Sequence, residues 1–166
     1  TPVGADATDL AVLDEALAAF RAHGLELPDV EVHYSDDRAD CNGHLGLFEN
    51  SYKPWRLLVC TDSAYVTYHE LAHAWEAANV DDVTRARYLE ARQLSTWNDP
   101  DTPWAERGIE DAARLLQVSL MTNRPHLSSS IWQERLAAYE LLTGRSSPAL
   151  DRAAPEAATA APGGPS

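Results

Sequence analysis

The sequence predicts an α+β domain, mostly helical, with a minor antiparallel sheet ahead of its central helix. Three observations carry this. Hydrophobic residues recur at helical spacing through most of the chain. Three short stretches with strand character cluster between residues 30 and 60. The order is one helix, then strands, then four helices, which is not the alternation of a parallel βαβ fold. With 166 residues, 45% of them hydrophobic and five of them Trp, the chain can build a single core.

Each element follows from its residues. Residues 9–23 place Leu10, Leu13, Leu17 and Phe20 on one helical stripe, closed by Gly24. Residues 30–34 alternate as Val-Glu-Val-His-Tyr and read as a strand. A polar loop covers 35–43, a short strand 44–48, a turn 49–54 and an apolar strand 55–60. Asp62 and Ser63 are N-cap candidates for a helix over 64–79, a stretch without Gly or Pro. Asp81 or Asp82 caps a helix to about residue 95. Thr102 and Pro103 suit the N-cap and first position of a helix to about residue 122, with Pro125 marking its end. Ser130 and Gln133 form a capping box for a last helix stopping near Gly144. Residues 1–145 are the expected compact domain. Residues 146–166 are rich in Ala, Pro, Gly and Ser and are expected to be a disordered tail.

The formal charge of −13 argues against binding a phosphate backbone, so no nucleic-acid partner is expected. No apolar run is long enough to cross a bilayer, and no membrane partner is expected. The two cysteines, Cys41 and Cys60, enclose a short loop just ahead of the central helix, a pattern that suggests a disulfide. Two free thiols, or a second zinc site built with His33 and His44, are the competing readings.

The chemistry lies in residues 69–73, His-Glu-Leu-Ala-His. Positions four apart share a helix face, so His69 and His73 can send two imidazoles to one point, with Glu70 beside them. Two His ligands, a neighbouring carboxylate and a metal position open to water suit metal-assisted hydrolysis. A core helix carrying two hydrogen-bonded histidines is the bland alternative. Catalytic zinc usually takes a third protein ligand, and no third His follows His73 at short spacing. The helix expected from Pro103 offers Glu106 and Glu110 on one face, with Gly108 between them where another backbone could approach.

The run His69-Glu70-Leu71-Ala72-His73-Ala74-Trp75, followed by a Glu-bearing helix, resembles the gluzincins, zinc peptidases with two His ligands and one Glu. Ile109-Glu110-Asp111-Ala112-Ala113 is similar to the segment that carries their glutamate. With Cys41-Asn-Gly-His-Leu-Gly and Val59-Cys60, the arrangement also resembles secreted, zinc-protease-like proteins of actinobacteria; the likeness spans roughly residues 30–120. It implies a small zincin-like domain holding one zinc ion through His69, His73 and Glu110. Glu70 would be the catalytic base that activates a zinc-bound water, and the substrate a peptide or protein. It further implies a secreted protein, expected to be a monomer. The family glutamate is often followed four residues later by an acid supporting a zinc-bound His; here that position is Arg114. Glu106 as ligand, supported by Glu110, therefore stays open. Tyr68, Tyr88, Arg107 and His126 are types that could stabilise an oxyanion. A non-catalytic secreted zinc module using the same ligands is the alternative function, and a metal-free helical domain a second one.

Overall fold

The first helix, α1 (Ala7–Ala22), begins at a capping box: the Asp6 carboxylate accepts from the Thr8 and Asp9 amides, and Asp9 reaches back to the Asp6 amide. Leu13, Ala16 and Phe20 are its buried face. The protein is described by a computed structural model covering residues 2–121 and 129–148. Three strands follow, β1 (Val30–Tyr34), β2 (Gly46–Glu49) and β3 (Trp55–Val59). They form one sheet in the order β1-β3-β2. The fold is α+β, as the sequence predicts.

The sheet is mixed rather than wholly antiparallel. β2 pairs antiparallel with β3, but β1 pairs parallel with β3, Val32 opposite Leu57. The connection between β1 and β3 explains this. Residues 35–54 hold a 3-10 turn (Arg38–Cys41) and β2 itself, enough chain to return β3 alongside β1 in the same direction. Val3 covers the outer side of β1 through hydrogen bonds to Val32 and from Tyr34. Among the described residues β2 pairs with β3 alone, so its far side is an edge of the sheet.

Cys41 and Cys60 are joined in a disulfide. The bond settles the competing readings: neither cysteine is a free thiol or a metal ligand. It ties the 3-10 turn to the end of β3, just before the chain enters α2 (Ala64–Asn79). Closing a loop of this length stabilises by about 3 kcal/mol in the chain-entropy view.

α2 has the bounds its residues predict. It packs on α4 (Gly108–Leu120), on α1 and on β2 and β3. Leu71, Ala72 and Ala74 are fully buried there, beside Leu57, Leu116 and Leu120. α3 (Asp82–Arg92) is capped by Asp81, whose carboxylate accepts from the Thr84 amide.

The helix expected over 103–122 is broken. Trp104–Glu106 is one turn of 3-10 helix, Arg107 is extended (φ −79°, ψ 138°), and α4 starts at Gly108. Tertiary hydrogen bonds outweigh local propensity here. The Gly108 and Ile109 amides donate to the Thr96 and Trp97 carbonyls, both at 2.9 Å, which satisfies donors that a helix start leaves orphaned. The Arg107 side chain fixes the turn by donating to the Thr102 and Pro100 carbonyls. The last helix, α5 (Ser129–Thr143), stops before Gly144, which takes a positive φ of 66°. Ser147, inside the expected tail, is buried. The rest of that tail, 149–166, lies outside the described residues, as does Pro125.

Candidate metal centre

α2 and α4 bring the three expected ligands together. His69 and His73 are one helical turn apart on α2, and Glu110 sits in the first turn of α4. The His69 Nε2 to His73 Nε2 distance is 3.1 Å. Glu110 Oε2 lies 3.1 Å from His69 Nε2 and 3.4 Å from His73 Nε2. Three corners of a tetrahedron around zinc, with bonds of about 2.0–2.1 Å, would be roughly 3.3 Å apart. The donor triangle therefore fits a zinc ion in size and in chemistry. Among the described residues, no fourth His, Cys, Asp or Glu joins this group. Glu106 is exposed on the 3-10 turn, separated from Glu110 by the extended Arg107, and takes no part.

Electrostatics follow from burial and contact. Burial pushes the Glu110 carboxyl up, but hydrogen bonds from His69 and His73 outweigh it and hold the group down at about 2. Burial pushes His73 down; contact with Glu110 and Glu76 outweighs it and raises the ring to about 10. His69 is lowered, chiefly by burial. The metal-free cluster thus keeps a carboxylate and a proton close together, and a divalent cation would take that proton's place.

Glu70 follows His69 and is raised to about 7, mainly by burial. It lies against β2 at Gly46, where a Cβ would meet Glu70 Cγ at 2.7 Å and Val66 Cγ1 at 2.6 Å. Only glycine lets the strand come this near the carboxylate. Both residues line a cleft of about 1170 Å³ that contains the donor triangle. Residues 43–48, including part of β2, form one wall of the cleft. The Cys60 amide donates to the Leu45 carbonyl, which marks 45–60 as a hydrogen-bonded pair. Alternation then makes 47–58 and 49–56 the next such pairs, so Gly46 and Phe48 turn their backbone groups to the free edge.

α4 is pinned in place. A Cβ on Gly108 would meet Leu89 Cδ2 at 2.6 Å and the Trp97 ring at 2.9 Å. The close approach expected at this glycine is real, but it comes from α3 and the loop after it. Asp111 takes a two-pronged hydrogen bond from Arg92 and another from Tyr88. These contacts lower the Asp111 carboxyl despite its burial.

Two oxyanion candidates are not available to a substrate. Tyr68 is buried, and Tyr88 is fully buried with its hydroxyl donating to Asp111. Arg107 borders the cleft with its guanidinium bound to backbone carbonyls. His126 lies outside the described residues. Arg114 and His44 also line the cleft. Arg114 stacks on Trp104 at 5.6 Å, and Trp104 lies 6.0 Å from the His69 ring. The sequence marked Arg114 only as the position four after Glu110, and His44 only as a possible ligand of a second zinc site. Glu76, three residues after His73 and nearest its other ring nitrogen, was also missed. Its helical spacing from His73 was the signal that could have found it.

No family model, curated protein or solved structure matches this chain.

Proposed function

We propose that the protein is a zinc-dependent metallopeptidase. The observation that carries this reading is the donor triangle of His69, His73 and Glu110, set in an open cleft with Glu70 beside it. Zinc held there would supply Lewis acidity towards a carbonyl oxygen and would make a nearby water easier to deprotonate. Glu70 accepts the proton of the attacking water. As the water oxygen bonds to the carbonyl carbon and the carbon–nitrogen bond breaks, Glu70 returns that proton to the leaving amine. In the metal-free protein burial raises this carboxyl to about 7, and a divalent cation beside it would favour the carboxylate form that accepts the proton. The free edge at Gly46 and Phe48 offers backbone groups to an extended peptide beside the site, so the substrate is a peptide or an unfolded protein segment. The buried disulfide suits an oxidising, extracellular compartment.

The second reading is a zinc site that only staples the fold. A staple normally closes with four protein ligands, and the three donors here border a cleft. Both features favour the enzyme. The test is zinc content together with cleavage of an unstructured protein, with and without a chelator. Glu70→Gln should retain zinc while its rate falls by at least about 100-fold. Cleavage by that variant at the wild-type rate would remove Glu70 from the mechanism. Zinc-loaded protein without cleavage of any unfolded substrate would favour the staple.

A further inference from the structure

Glu76 sits on α2, three residues beyond His73, and is only 1% exposed. Among the described residues, neither of its carboxylate oxygens has a hydrogen-bond partner, and neither does His73 Nδ1. The two unsatisfied groups face each other, with Oε2 3.7 Å from Nδ1. The opposite nitrogen of the same ring, Nε2, points into the donor triangle. A buried carboxylate without a partner is costly. Its other charged neighbours, Glu110 and Arg85, act from farther away; Arg85 is engaged with Asp82 and the Trp97 ring, although its buried Nε has no hydrogen-bond partner among the described residues. Tyr88 gives its hydroxyl to Asp111. His73 Nδ1 is therefore the group that Glu76 is placed to serve.

We propose that Glu76 is the positioning residue of His73. When metal is bound, its carboxylate closes the 3.7 Å gap and accepts a hydrogen bond from Nδ1–H, which fixes the tautomer with the Nε2 lone pair turned to the metal. It also holds the ring plane and makes the imidazole a stronger donor. The inference rests on the metal-site reading above. It makes α2 the source of two ligands, the base and the support for one ligand, all within eight residues.

The experiment measures zinc affinity by competition with a chromophoric chelator, for the wild type, Glu76→Gln and Glu76→Leu. The thermal midpoint of each metal-free protein is recorded alongside. In the zinc-loaded proteins, the His73 Nδ1–H resonance is followed by proton NMR. Gln keeps a weaker acceptor and should lower affinity about 10-fold; Leu keeps none and should lower it about 100-fold. The metal-free midpoint separates a loss of folding from a loss of metal affinity, since Glu76 also faces the His73 ring in the metal-free protein. The Nδ1–H resonance should be slowly exchanging in the wild type and shifted in both variants. Unchanged affinity in both variants, or a lower midpoint with unchanged affinity, would overturn the role of Glu76. A wild type that takes up no zinc would instead sink the metal-site reading itself.

Discussion

The two halves of the candidate metal centre are built in opposite ways. α2 supplies His69, Glu70, His73 and Glu76 from one uninterrupted helix, so their relative positions follow from 3.6 residues per turn. α4 supplies Glu110 alone, and its position depends on contacts with distant chain. Thr96 and Trp97 carbonyls cap its first turn, Leu89 and Trp97 crowd Gly108, and Arg92 and Tyr88 hold Asp111. A half encoded by spacing should tolerate change around it. A half encoded by tertiary packing should fail when that packing is disturbed.

The largest expected effect comes from removing the tertiary half's ligand. Glu110→Ala should weaken zinc binding well beyond the roughly 100-fold that supporting residues reach. Glu106→Gln, by competition titration, should match the wild type. Equal loss in the two variants would mean that the extended Arg107 does not separate them in function. Gly108→Ala comes next. The added methyl meets the Leu89 side chain and the Trp97 ring, so we expect about 1–3 kcal/mol lost in denaturant unfolding, with weaker zinc binding. A matched Ala78→Gly change on exposed α2 surface should cost only about 1 kcal/mol and leave the site intact.

The smallest effect is in the pH dependence of the metal-free protein. Glu70 is raised from its ordinary value to about 7 by burial. A carboxyl with a raised folded pKa adds stability at low pH that is lost as pH climbs through that value. Glu70 alone should therefore cost the metal-free protein on the order of 2 kcal/mol between pH 5 and pH 8, with His73, raised, acting in the same direction and His69, lowered by burial, opposing it. Glu76, also raised by burial, acts in the same direction. Glu110, held down at about 2, keeps its contribution throughout this window. Urea titrations at the two pH values check this. A pH dependence that is the same in Glu70→Gln as in the wild type would contradict the burial of Glu70.

The same contrast explains what was legible in the sequence. The α2 boundaries and the His69–Glu70–His73 spacing are local, and the structure has them as read; of the two cap candidates for α3, Asp81 and Asp82, it uses Asp81. The disulfide was one of three readings, and only proximity in space could choose it. Glu110 could be preferred over Glu106 only through a family resemblance. What separates them is the break at Arg107, which comes from carbonyls ten or more residues away in the chain. The parallel pairing of β1 with β3 was hidden for a similar reason. A strand's residues record which face is buried, not which way its neighbour runs.

The central claim is a zinc ion held by two imidazoles of α2 and one carboxylate of α4. X-ray absorption at the zinc edge of the dialysed, zinc-loaded protein tests it most directly. The account predicts a shell of nitrogen and oxygen donors at about 2.0–2.1 Å, two of them imidazoles, that loses occupancy in Glu110→Ala. Sulfur donors at about 2.3 Å, or no zinc retained after dialysis, would contradict it.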